Sequence, residues 1–131
     1  MPAMLSFDYA TIRVVPRVDR EEFVNAGVIL FCRERMFLEA RVVFDPARVR
    51  GLCAEADLET IESHLAAVPR ICLGSHEAGP IGALPIHERF HWLVAPRSTM
   101  IQMSPVHAGL CEDPSETLAR LFESLVGSKF D

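Results

Sequence analysis

The sequence has almost no lysine and no excess of basic residues. Lys129 is its single lysine, and 13 Lys and Arg residues stand against 18 Asp and Glu residues, which gives a formal net charge of −5. Proteins that bind nucleic acids without sequence preference need a basic surface that displaces counterions from the phosphates. The charge balance therefore argues against general nucleic-acid binding.

Long apolar runs, a signal peptide and paired cysteines are also missing. No run approaches the roughly 20 apolar residues that span a bilayer, and residues 1–7 lack the basic and apolar regions of a signal peptide. None of the four cysteines belongs to a CxxC pair; they are Cys32, Cys53, Cys72 and Cys111. We therefore expect a cytoplasmic protein with reduced thiols and no membrane contact.

The chain contains enough apolar sequence for one core. It has 131 residues, of which 50 % are hydrophobic. This length is typical of one domain, so we predict a single domain that comprises residues 1–131. Alternating or continuous apolar runs predict strands at 7–15, 24–32 and 37–44, the last two as a hairpin. A further strand is predicted at 98–104, and 105–112 is predicted to be loop.

Helix-start signals concentrate in the second half of the chain. An aspartate precedes each of three apolar-periodic segments, at Asp45, Asp57 and Asp113, and fits the N-cap position. A short helix is predicted from His87, and Pro69 is expected to interrupt or close the helix that contains it. Because the predicted strands come first along the chain and the helices mostly later, the sequence predicts an α+β fold. Its antiparallel sheet of three to four strands is packed by helices.

Two stretches carry a family resemblance. They are YATIRVVPRVDREEFVNAGVILF, at 9–31, and the segment 89–114 with RF-WL, RSTMIQMSPVHAG and DP; the closing helix LARLFESLV extends the match. Together they resemble the bacterial domain of unknown function 3037 (DUF3037). The resemblance implies no reaction. It implies instead a partner or antitoxin-like role beside a HipA-like kinase.

The segment His87-Glu88-Arg89-Phe90-His91 spells HExxH. On a helix the two histidines share one face and bind zinc in metalloproteases, with the glutamate as general base. Arg89 places a charge at a central position of the motif, and no histidine follows within the next turns as a third ligand. We expect no metal and no cofactor, and zinc catalysis remains the less favoured alternative.

A possible binding cleft is indicated by polar residues within apolar surroundings. Asn25 interrupts an apolar strand, so its side chain should either bond locally or reach a site. The predicted cleft has two rims, formed by the candidate binding residues Glu22, Asn25, Arg97, Ser98, Gln102 and His107.

The second rim has the clearer pattern. Ser98, Gln102 and Ser104 have even spacing, so as a strand they would share one face. His107 follows in the predicted loop and can titrate near neutral pH. The alternative is a solvated sheet face followed by a tight turn.

Two functions follow from these observations. The favoured one is a non-enzymatic protein-interaction module whose partner is a HipA-like kinase, with self-association also possible. The alternative is a small hydrolase whose site includes His107, or the zinc-binding His87, Glu88 and His91. No GxSxG elbow or GxGxxG loop is present to support an enzyme.

Overall fold

The computed structural model describes residues 3–74 and 76–127. Its strands are β1 (Leu5–Val14), β2 (Val24–Cys32), β3 (Phe37–Val42), β4 (Ile101–Met103) and β5 (His107–Cys111). Its helices are α1 (Pro46–Leu52), α2 (Leu58–Leu73), α3 (Ile86–Val94) and α4 (Pro114–Leu125), with 3-10 segments at Arg33–Arg35 and His76–Ala83. They form a single compact α+β domain. The predicted class is confirmed, with five strands in the described ranges where three to four were predicted.

β1 is the centre of an antiparallel sheet. β2 pairs with one side of β1, and β3 lies outside β2. The other side of β1 is shared, because β5 pairs with its first half and β4 with its second half. β2 is therefore an interior strand, and its predicted hairpin with β3 is confirmed.

Helices cover both faces of this sheet. On one face Ile12 and Ile29 pack in a core with Ile61 of α2 and Phe90 of α3. On the other face β2 packs against α4, mainly through Leu118 and its neighbours. This explains the continuous apolar run of β2, since a strand covered on both faces has no solvent side.

Gly27 marks the point where the β1–β2 ladder shifts register. A Cβ atom at this position would lie 2.5 Å from the carbonyl oxygen of Arg41 on β3. Only glycine permits that approach, and the register shift beside it is a β-bulge.

The three predicted N-caps are confirmed. The carboxylates of Asp45, Asp57 and Asp113 accept hydrogen bonds from main-chain N–H groups in the first turns of α1, α2 and α4. These bonds satisfy donors that a helix start leaves open. Within 3–74 and 76–127, no helix is both long enough and apolar enough to cross a membrane.

The edge strands differ from the sequence prediction. Residues 107–111 form β5 and not a loop, and the strand predicted over 98–104 is restricted to β4. The sequence of β5 has no apolar pattern that would predict a strand, because most of its residues are exposed. It also contains Gly109, over which the ring of Phe7 packs. His107 therefore lies in a strand, and the prediction that it lies in a loop is wrong.

The expectation that Pro69 interrupts or closes its helix is also wrong. α2 continues through Pro69 to Leu73, because Ile71 and Cys72 beyond the proline are buried in the core. The glycine-rich segment that follows is not structureless. It forms two 3-10 turns separated at Gly79, whose φ is 74°.

Candidate functional site

Arg97 closes the carboxyl end of α3. Its guanidinium donates hydrogen bonds to the main-chain carbonyls of Leu93, at 3.2 Å, and Trp92, and its Cζ lies 4.1 Å from the centre of the Trp92 ring. The carboxyl end of a helix carries a partial negative charge, which favours a nearby cation. Partial burial lowers the pKa of Arg97, because loss of water disfavours the charged form. The predicted site residue is therefore held in a fixed orientation.

Beside Arg97, the elements α2, α3 and β4 leave an apolar groove of about 220 Å³. α2 contributes Ala67 and Ile71, and β4 contributes Ile101 and Met103. Small-molecule pockets usually enclose roughly 300–1,000 Å³. The groove is therefore suited to one or two side chains of a larger partner more than to a whole metabolite.

The first predicted rim lies away from this groove. Asn25 faces α4, where its Nδ2 donates a hydrogen bond to the carbonyl oxygen of Leu125 at 3.1 Å. Glu22 is exposed and pairs with Arg20 at 2.9 Å. Because α4 and the α2–α3 pair cover opposite faces of the sheet, the structure does not bring Asn25 and Arg97 together across one cleft.

The second predicted rim is divided among several environments. Gln102 lines the groove, and its Nε2 donates a hydrogen bond to the carbonyl oxygen of Thr99 at 2.8 Å. Ser98 is exposed, and the ring of His107 lies 5.3 Å from that of Tyr9 on β1. The groove thus unites Arg97 and Gln102, and the binding roles of all six residues remain predictions.

Ser104 has a structural position between β4 and β5. It is buried, and its Oγ accepts a hydrogen bond from the N–H of Thr11 at 2.8 Å. Its own N–H donates to the carbonyl oxygen of Thr11 at 2.9 Å. The hydroxyl replaces a missing backbone acceptor where the ladder is interrupted, so the shared polar face predicted for Ser98, Gln102 and Ser104 does not form.

The HERFH segment lies on α3, as a helical HExxH requires. The rings of His87 and His91 are 6.4 Å apart, and Glu88 is exposed. Within 3–74 and 76–127, no three His, Cys, Asp or Glu side chains are grouped as a metal site would need. The zinc alternative therefore finds no complete ligand set in the described residues.

Arg89, at the centre of that segment, has a structural role. Its guanidinium donates hydrogen bonds to the carbonyl oxygens of Leu84, at 2.6 Å, and Cys72, at 3.3 Å. These contacts join the carboxyl end of α2 to the segment that precedes α3. The charged central position, which weakened the zinc reading of the sequence, thus serves to connect two elements.

Sequence reasoning missed most of the groove. Ala67 and Ile71 have the helical spacing of core residues, and Trp92 was noted only as part of a family motif. A groove depends on the angle between two helices and a strand, and sequence periodicity does not specify that angle. One signal was available, since Trp92 is the single tryptophan and precedes a polar, proline-containing connection.

A comparison with protein families gives one match. Residues 9–126 match the family model described as protein of unknown function (DUF3037). The chain belongs to the DUF3037 family. The resemblance carried by the EFVN and RS-MIQ-SP segments is thereby confirmed. No curated protein and no solved structure shows a significant match. The DUF3037 description names no activity, so a function has to be inferred from the geometry.

Proposed function

We propose that this DUF3037 domain is a non-catalytic protein-interaction module. Its binding site is the groove between α2, α3 and β4, and its ligand is an apolar segment of a partner protein. The single observation that carries the proposal is this apolar groove, bordered by a fixed cation and an exposed aromatic ring. Aromatic and arginine side chains around an apolar centre are typical of protein interfaces.

Arg97 indicates the chemistry of the ligand. No carboxylate of the described residues lies within 4.0 Å of its guanidinium. Two main-chain carbonyls use only part of its five N–H donors. An acidic side chain next to the apolar segment of the partner would complete this site through charge-assisted hydrogen bonds.

The proposed partner is a HipA-like kinase in the cytoplasm. This part of the proposal rests on the family resemblance, which implies that role. The net charge of −5 is compatible with a protein partner and unfavourable for a nucleic acid.

Two alanines of α2 provide a matched pair of variants. Ala67 lines the groove and Ala66 does not, and both are half-buried in the same turn. We expect Ala67→Arg to abolish binding of a purified HipA-like kinase, because the long side chain fills the groove. Ala66→Arg should bind with unchanged affinity. Isothermal titration calorimetry measures both, and equal binding by the two variants would show that the groove is not the interface.

The single tryptophan allows the contact to be located. With 5-fluorotryptophan at Trp92, binding of unlabelled kinase should shift the one fluorine resonance. Arg97→Gln should weaken binding by roughly tenfold or more, since a charged hydrogen bond contributes about 1.5–3 kcal/mol. An absence of binding by the unmodified domain would refute the kinase as partner.

A further inference from the structure

The outer edge of β5 is open. β5 pairs with β1 on one side, and in the described part of the chain no strand pairs with its other side. Three alternate residues along this edge are exposed, namely Val106, Ala108 and Leu110, and Leu110 is 66 % exposed. None of them lines the groove between α2, α3 and β4.

The hydrogen bonds of Thr11 on β1 show which N–H and C=O groups of β5 point away from the sheet. Its N–H and its carbonyl both bond Ser104, so the main-chain groups of Thr11 point toward the β4–β5 side of β1. In an antiparallel ladder that direction alternates with every residue. Tyr9 and Phe7 therefore also point toward β5, where they pair with His107 and Gly109. The N–H and carbonyl groups of Ala108 and Leu110 consequently point outward.

The side chains of β5 itself do not protect its edge. Its sequence, HAGLC, contains no Lys, Arg, Asp or Glu and no proline. Natural edge strands are usually blocked by charges, prolines or covering elements. An uncharged edge with outward donors and acceptors is suited to pairing with another strand.

We propose that β5 pairs with β5 of a second copy of this chain, antiparallel about a two-fold axis at Gly109. In this register Ala108 lies opposite Leu110 of the second copy, and Leu110 lies opposite its Ala108. Both residues of each pair have outward backbone groups, so the two pairs make four hydrogen bonds. Gly109 meets its own copy at the axis, where the lack of a side chain permits close approach.

The charge distribution favours a second copy in this orientation. Glu112 and Asp113 follow β5, whereas Pro105 and Val106 precede it. Antiparallel pairing places the acidic end of each copy opposite the uncharged end of the other. Parallel pairing would place the acidic ends together. The two-fold arrangement also closes on itself and leaves no free β5 edge.

Analytical ultracentrifugation of the unmodified chain tests the proposal across a concentration series. We expect a dimer that dissociates on dilution to the 14.6 kDa monomer. Ala108→Pro should raise the dissociation constant about tenfold or more. It removes one outward N–H per copy, and hence two of the four hydrogen bonds, without touching the ladder to β1. A monomer at every concentration would overturn the proposal.

A charge-exchange set tests the register. Leu110→Lys or Ala108→Glu alone should weaken the dimer, because each adds two charges to an apolar edge. The double variant should restore it, since each introduced lysine then lies opposite an introduced glutamate. Leu73→Lys, at a site 75 % exposed on α2, is the control and should leave the dimer intact. A dimer unaffected by Ala108→Pro and by Leu110→Lys would place the interface elsewhere and refute the assignment.

Discussion

Asn25 illustrates how one polar side chain connects two layers of this domain. Its amide group on β2 reaches a main-chain carbonyl at the last residue of α4, and the two are 100 positions apart. Its Oδ1 is buried with no hydrogen-bond partner among the described residues. The helix end gains a donor for an otherwise open carbonyl, and the side chain retains one unsatisfied acceptor.

Two substitutions at Asn25 should differ in their effect. Asn25→Ala loses one hydrogen bond and also removes the unsatisfied Oδ1, so we expect a loss of about 1 kcal/mol in unfolding free energy. Asn25→Asp should be worse by on the order of 1–3 kcal/mol at pH 7. A carboxylate cannot donate to Leu125, and its charge opposes the carboxyl end of α4.

Acid titration gives the sign of this effect. Repulsion by the helix end raises the pKa of the introduced carboxyl in the folded state. The loss of unfolding free energy caused by Asn25→Asp is therefore fully present above that raised pKa. It decreases as the pH falls through this pKa, because a protonated carboxyl can donate a hydrogen bond to the carbonyl oxygen of Leu125. Urea unfolding at pH 7 and near pH 4 measures the gap between the two variants. A gap that does not narrow in acid would contradict the assigned hydrogen bond.

Single residues with local signals were predictable, and residues that act at a distance were not. Asp45, Asp57 and Asp113 were assigned from neighbours within three positions, because an N-cap bond is local. Asn25 was correctly recognised as unusual, but its acceptor lies on α4. No sequence spacing reports a contact between residues 25 and 125.

At the scale of the elements, the edge beside β1 depends on Ser104. β4 and β5 meet β1 in registers that differ by one residue, and Ser104 occupies the irregular position between them. Its Oγ accepts the Thr11 N–H, which is buried. Ser104 thereby holds the connection between the two short strands against β1.

We expect Ser104→Ala to lower the unfolding free energy by about 1–3 kcal/mol, because the Thr11 N–H is left buried without an acceptor. Ser98→Ala, at an exposed serine between α3 and β4, is the matched control and should change it by less than about 0.5 kcal/mol. Chemical denaturation measures both. Equal stability of the two variants would show that the Ser104 hydroxyl is dispensable.

Whether an element could be predicted depended on how much of it is buried. β2 and β3 were predicted closely, since their apolar patterns reflect packing against helices. β5 was missed because most of its side chains are exposed and its position is fixed by pairing with β1. Likewise, α2 passes through Pro69, since burial of Ile71 and Cys72 outweighs the local preference to stop.

At the scale of the whole molecule, the four thiols report on the integrity of both cores. Cys32, Cys72 and Cys111 are buried, whereas Cys53 is half-buried at the end of α1. Burial raises the pKa of Cys72 to about 12, so its reactive thiolate is nearly absent near neutral pH. Desolvation also raises the pKa of Cys111.

Alkylation should therefore be selective in the native state. We expect iodoacetamide at pH 8 to modify Cys53 first and the other three thiols only after unfolding in guanidinium. Intact-mass spectrometry followed by peptide mapping identifies the modified positions. Rapid modification of Cys72 in the folded protein would contradict the core packing described above, and Cys53→Ser supplies a control with no fast-reacting thiol.

The interruption at Ser104–Val106 also bears on fibril formation. It divides the outer edge into strands of three and five residues. The alternation of inward-pointing and outward-pointing N–H and C=O groups is shifted by one residue between these two strands. Amyloid-forming segments are typically six or seven residues of continuous, proline-free strand. An incoming chain that follows β5 loses register at Pro105, so this edge provides too short a template for cross-β growth.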